Sequence, residues 1–180
     1  MTHETLEQYQ KRLRSYLSNQ DPLKVQAASP RKIERLMKGA SRQTLLRRPA
    51  PGKWSVGEIV AHLADDELVA AYRMRKILES PGGSIQAFDQ DIWATTGKYS
   101  RRNPQASLEL FRTLRTANLA LLKLLDPAEW KRHGVHAERG IESIENIAEH
   151  LACHDLNHLK QIEAILTPAK KKATPKPRRR

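Results

Sequence analysis

The chain has 180 residues, of which 39% are hydrophobic, 29% charged and 5% aromatic, with a formal net charge of +12. That length allows one domain with a real core, and the shortage of aromatic residues and of β-branched runs argues against a sheet protein. The single cysteine excludes an intramolecular disulfide. MTHETLEQYQKRLRSYL lacks the apolar core of a signal peptide, and LALLKLL is broken by Lys123 before it approaches a membrane span, so the expectation is a soluble cytoplasmic protein without a membrane partner.

Along the chain, residues 4–17 are spaced for a short amphipathic helix with Leu6, Tyr9, Leu13 and Leu17 near one face, which Asp21-Pro22 interrupts. Ser29-Pro30 predicts the next helix start, because the ring suits a first helical position, with the helix running over about 30–38 to a stop at Gly39. PAPGKWSVGEIV carries the best start signal: Ser55-x-x-Glu58 is a capping box, and Trp54 and Ile59 are placed as a hydrophobic staple. A long helix over 56–79 follows, ended by Ser80-Pro81-Gly82-Gly83. Residues 84–102 show no clear period and read as a long connection with room for a short helix.

Asn103-Pro104 caps a third helix over 104–125, with Leu108, Phe111, Leu114, Leu122 and Leu125 inward. Asp126-Pro127 begins a short helical turn, RHGVHAERG reads as a polar loop, and a last long helix covers 141–166. Three long helices and one shorter make an all-α four-helix bundle over residues 1–166, the first segment being an N-terminal extension helix. TPAKKKATPKPRRR, residues 167–180, holds seven Lys/Arg, no acid and no apolar period, which predicts a disordered basic tail.

The chemistry concentrates in HLACHDLNH, residues 150–158. On a wheel of ~100° per residue, Ile144, Ile147, Ala148, Leu151, Ile162 and Ile165 define the apolar stripe. His158 falls within it, His154 on its shoulder, and His150 further out toward solvent. Two histidines at i and i+4 can reach one metal ion, but two ligands leave a transition-metal site incomplete, and half-buried histidines satisfied by backbone or acid partners give the same pattern. His62 in VAHLADDE is the candidate for a third ligand, with Asp66 one turn on and on its side of the helix. His3, His133 and His136 lie in polar segments and read as plain surface histidines.

Two acids fall on apolar faces: Asp155 on the last helix and Glu67 on the second long helix. A buried carboxylate is costly unless paired. Each is therefore either an acceptor for a metal-bound imidazole, an acid/base group in a cavity, or an acid held by a buried Arg, Tyr or Trp. Cys153 points away from the stripe and reads as a spectator.

PAPGKWSVGEIVAHLADDE, followed far along the chain by HDLNHLKQIEAI, resembles the DinB/YfiT-like superfamily of metalloenzymes over residues 22–166. The resemblance implies a four-helix bundle, often a homodimer, with a divalent metal held near one end by three side chains. Carried over by position, the ligands are His62, His154 and His158, and His150 falls off the pattern. Some relatives are transferases or isomerases that use bacillithiol or mycothiol, yet no motif here maps to a thiol cofactor.

The expectation is a Zn²⁺- or Ni²⁺-dependent enzyme acting on a small-molecule substrate, either a thiol-dependent S-transferase or a hydrolase. Asp155 or Glu67 would orient a ligand or move a proton. The rival is a non-catalytic binding module associated with nucleic acid through the basic tail. Against it stand the lack of a nucleic-acid motif and of aromatics for base stacking.

Overall fold

Each long helix opens on a short polar side chain that takes up free backbone amides, which is why the helices begin where they do. The computed structural model describes residues 5–167; of the basic tail only Thr167 is among them, and the rest, like His3, lies outside the described residues. The elements are α1 (Leu6–Leu17), α2 (Pro22–Met37), α3 (Arg42–Leu46), α4 (Val56–Glu79), β1 (Ser84–Ile85), α5 (Gln90–Thr96), α6 (Pro104–Leu122), α7 (Pro127–Lys131), β2 (His133–His136), β3 (Gly140–Ser143) and α8 (Ile144–Leu166), with a 3₁₀ turn at Tyr99–Arg101. Among the described residues no helix is long and apolar enough to cross a membrane.

Helices α2, α4, α6 and α8 form the bundle: α4 packs on α6, α2 on α8, and the two pairs meet through α2 with α6 and α4 with α8. Helix α1 lies against α8, held by Leu13, Leu17, Val25, Ala152 and Cys153. Cys153 is thus buried beneath α1, and burial pushes its thiol up to about 11, so it stays a protonated spectator. At α4 the expected capping box is present, Ser55 Oγ accepting from Glu58 N at 3.3 Å and Glu58 Oε2 from Ser55 N at 2.8 Å. Trp54 packs against the apolar cluster that contains Ile59.

The core has two apolar ends. One gathers Ile33, Met37, Ile59, Leu63, Phe111 and Ile162; the other gathers Met74, Ile77, Leu119, Leu122, Ile147 and Leu151. Between the residues that feed the two ends, α4 carries Glu67, α6 carries Arg115 and α8 carries Asp155, all buried. A polar belt therefore crosses the middle of the bundle.

Three expectations are corrected. Helix α2 starts at Pro22, with Asp21 as its cap, and Pro30 lies inside it. A proline there removes the N–H that would bond the carbonyl four residues back. That carbonyl is on Gln26, and it instead accepts from Arg115 Nη1 at 2.9 Å, so α6 supplies the donor that α2 lacks. Next, the polar loop is an antiparallel hairpin, with His133 opposite Ser143 and His136 opposite Gly140, and β1 joins it in parallel through Ser84 with Val135. Gly140 closes the turn at φ 71°, a left-handed conformation that favours glycine. The strands take residues 141–143 from the start of α8. Finally, α6 ends at Leu122 rather than at residue 125.

Candidate metal centre

Helices α4 and α8 both carry polar residues at i, i+4 spacing on the faces they turn to each other. From α4 come His62 and Asp66, and from α8 His154 and His158. The three imidazoles are buried, with exposures of 2%, 5% and 6%. His154 Nε2 lies 3.1 Å from His62 Nε2 and 3.0 Å from His158 Nε2. The candidate ligand atoms of the three residues all fall within 4.8 Å of one another.

The outer nitrogens indicate where the ring protons sit. His158 Nδ1 is 2.9 Å from Gln161 Oε1, an acceptor, and His154 Nδ1 is 3.4 Å from Asp66 Oδ2. An Nδ1–H on His158 directed at Gln161 leaves its Nε2 lone pair pointing inward, and the charge of Asp66 favours the same tautomer at His154. Nitrogen lone pairs aimed at each other repel, and a cation between them removes the conflict. Three buried atoms at this site, His62 Nδ1, His154 Nδ1 and Asp66 Oδ2, make no hydrogen bond of good geometry. Native proteins leave few such atoms. The donor set thus fits a divalent ion of the zinc or nickel type, with three neutral nitrogens and a carboxylate behind one of them.

The rings are also in the right charge state. Burial pushes His62 down to about 4, with Asp65 pulling the other way. Burial and the neighbouring His62 bring His158 down to about 3. His154 is held well below the ordinary range by burial and then by the other histidines. All three are neutral at pH 7, ready to donate to a metal.

Glu67 and Asp155 sit elsewhere. Both bind the buried Arg115 guanidinium: Asp155 Oδ2 and Oδ1 lie 2.5 and 3.0 Å from Nη1 and Nη2, and Glu67 Oε1 lies 2.8 Å from Nη2. Asn118 Nδ2 donates to Glu67 Oε2 at 3.0 Å. Burial raises both carboxyls while Arg115 opposes it. Burial likewise works against the Arg115 cation, but the two carboxylates outweigh it and raise its pKa. No hydrogen bond among the described residues joins Glu67 or Asp155 to a triad imidazole. The carboxylate that reaches the triad is Asp66, whose signal in the sequence was its place one turn after His62. Gln161 carried the same kind of signal, three residues after His158.

Two other histidines depart from expectation. His150 is half-buried rather than turned to solvent, and its ring stacks on His154 with centroids 5.8 Å apart. It does not join the three converging nitrogens. His136 is 2% exposed rather than a surface residue, because β2 tucks it against Arg73 of α4. His133 is exposed, as expected.

Two cavities flank the triad. The larger, of about 600 Å³, is lined by His154, His158 and Gln161 among its polar residues and by Trp54, Ile59 and Ile165 among its apolar ones. The smaller, of about 190 Å³, is lined by His62, His154, Asp66, Arg73, Arg139 and His150, among others.

Comparison with known proteins agrees with this architecture. The family model described as the DinB superfamily matches residues 27–162. "Putative metal-dependent hydrolase YfiT" of Bacillus subtilis is 27% identical over 115 residues, covering 63% of this chain and 65% of that protein. "Putative metal-dependent hydrolase OB0782" of Oceanobacillus iheyensis is 29% identical over 114 residues, covering 63% of this chain and 66% of that protein. These matches span slightly less than two thirds of either relative. The solved structure of YfiT from Bacillus subtilis, a four-helix bundle of unusual topology, superposes with a TM-score of 0.75 over 92% of this chain and 89% of that one, at 23% identity. That likeness is one of fold.

Proposed function

The chain belongs to the DinB superfamily, and from that premise we propose that it is a metal-dependent hydrolase of a small-molecule substrate, its divalent ion held by Nε2 of His62, His154 and His158. The observation that carries the reading is the convergence of three buried, neutral imidazole nitrogens, with His154 Nε2 3.1 and 3.0 Å from those of His62 and His158 and all three within 4.8 Å of one another. A divalent ion with three neutral nitrogen ligands keeps its full charge and supplies Lewis acidity, which brings the pKa of a coordinated water near 7.

The protein's part is orientation and enclosure. Gln161 steadies His158 through Nδ1 at 2.9 Å, and Asp66 Oδ2 stands 3.4 Å behind His154 Nδ1 as a charged neighbour. Such outer partners fix tautomer and ring orientation and raise the basicity of the inner nitrogen. Trp54, whose ring lies 4.9 Å from that of His62, covers the triad on the side of the larger cavity. Its apolar surface limits water there and offers contact to a non-polar part of the substrate. Arg115 engages both Glu67 and Asp155, so these two nearby acids are directed away from the triad and its cation.

The test is a calorimetric titration of tag-free protein with Zn²⁺ and Ni²⁺, paired with hydrolysis of an ester and amide panel before and after chelation. One ion per chain is expected, with binding weakened at least about a hundredfold in His62→Ala, His154→Ala and His158→Ala, since a three-ligand site tolerates loss of one ligand poorly. His150→Ala should bind within about threefold of the parent, as its ring stands outside the convergence. If His62→Ala binds like the parent, or the metal-loaded protein hydrolyses nothing that the chelated protein does not, the reading fails.

A further inference from the structure

The two arginines of the smaller cavity are not equivalent. Arg139 is closed in a fork with Glu142, Nε to Oε1 at 3.0 Å and Nη2 to Oε2 at 2.9 Å. Arg73 is 7% exposed and has no carboxylate in salt-bridge contact among the described residues, Glu142, Asp66 and Glu138 acting on it only from farther away. Its Nε and Nη2 both donate to the Gln86 carbonyl, at 3.1 and 2.6 Å. His136 Nε2 lies 3.2 Å from Nη2. But His136 Nδ1 accepts from the backbone N–H of Glu138 at 3.1 Å, which places the ring proton on Nε2 and leaves no lone pair for the guanidinium. Arg73 Nη1 makes no hydrogen bond to another described residue, and Arg73 lines the smaller cavity.

A guanidinium in such a place is costly, since a buried charge is tolerated when it is paired. The Gln86 carbonyl and the Phe88 ring, whose centre is 5.8 Å from Cζ, do not supply a counter-charge in contact with it. Holding Gln86 against α4 would use Nε and Nη2 and would leave Nη1 idle. The cavity that Arg73 lines also includes His62 and His154, so whatever compensates the cation lies beside the metal ligands.

We propose that this cavity binds a carboxylate of the substrate through Arg73, so that the substrate class is a small carboxylic acid with its hydrolysable bond close to the acid group. The inference rests on the reading of the triad as a metal site. The mixed charges of the wall favour a monoanion over a dianion. Arg139 is already matched by Glu142, which leaves Arg73 as the guanidinium able to meet an anion, and Asp66 on the same cavity wall repels a phosphate dianion about twice as strongly as a carboxylate. A planar carboxylate also suits the guanidinium fork.

The probes are butyrate, its neutral isostere butyramide, and inorganic phosphate, each titrated calorimetrically into full-length protein with and without Zn²⁺. Butyrate should bind wild type at least about tenfold more tightly than butyramide and more tightly than phosphate, and Arg73→Gln should lose about tenfold or more in butyrate affinity, as truncating one partner of a buried charge pair does. Arg73→Lys should retain part of that affinity by keeping the charge. Zn²⁺ affinity in Arg73→Gln should remain within about threefold of the parent, because Arg73 touches no triad imidazole. Equal butyrate binding by wild type and Arg73→Gln overturns the proposal, as does butyrate binding no tighter than butyramide, or phosphate binding tighter than butyrate. Should Arg73→Gln fail to fold, the wild-type ranking and Arg73→Lys still decide. If Zn²⁺ does not bind the triad while metal-free protein takes butyrate in an Arg73-dependent way, the metal reading fails and the carboxylate subsite stands. If Zn²⁺ binds and butyrate does not discriminate, the subsite fails alone.

Discussion

His154 and Asp155 are neighbours on α8, and Asp66 and Glu67 are neighbours on α4, yet each pair is divided between two polar clusters of opposite kind. The belt formed by Glu67, Arg115, Asn118 and Asp155 contains cation and anions together, so its charges are met from within. The triad of His62, His154 and His158 contains only nitrogens of one kind, aimed at each other. Burial alone therefore does not mark a functional residue. A buried polar cluster that completes itself supports the fold, and one whose nitrogen lone pairs converge is shaped for a cation.

The largest effect should come from breaking the self-completing cluster. Arg115→Met should cost roughly 3–5 kcal/mol in urea denaturation, because it strands two buried carboxylates and the free carbonyl of Gln26 at once. A loss below about 1 kcal/mol would mean that the belt is not the buried ion pair described.

Acidification should separate the clusters by sign. His62 and His158 have folded pKa values of about 4 and about 3 against an ordinary 6.5, so between these limits the unfolded chain binds more protons than the folded one. Metal-free protein should then be at full stability from these groups above about pH 6.5 and should lose it steadily as the pH falls toward 4. His62→Gln should flatten that slope in denaturation midpoints between pH 7 and 4.5. An unchanged slope would place the ring in water.

Asp66→Asn tests the link between the triad and its outer acceptor. The change keeps size and removes charge, and Zn²⁺ affinity should fall about 10-fold, as for other partners behind a metal-bound histidine, with little change in stability. Glu67→Gln should leave Zn²⁺ affinity within about twofold, since Glu67 answers to Arg115. If the two variants weaken binding equally, the division between the clusters is wrong. The smallest effect is expected outside both clusters: Ser55→Ala should cost about 1 kcal/mol by removing the cap of α4, and an unchanged midpoint would show that the capping box does not hold in solution.

Much of the helical framework was legible because its signals are local. The capping box at Ser55 and Glu58, the breaker after residue 79 and the Asn103-Pro104 start each act within a turn or two, and α4 and the start of α6 stand where those signals put them. The histidine spacing was equally local, since i and i+4 share a helix face whatever the rest of the chain does. Ser29-Pro30 misled for the complementary reason. Proline's fitness for a helix start is a local preference, whereas the donor that lets it sit inside α2 comes from Arg115, 89 residues from Gln26. The hairpin escaped because strands of four residues carry too little alternation to stand out.

By itself, then, the sequence determined which residues could do chemistry and which helix faces they occupy, because helical period and capping are set by neighbours along the chain. Only the tertiary structure decided their roles. It joined His62 to His154 across 92 residues, gave Asp155 and Glu67 to Arg115 across 40 and 48, and left Arg73 with no carboxylate in direct contact among the described residues. Whether a buried charge is matched depends on what another helix brings to it, and no local pattern records that.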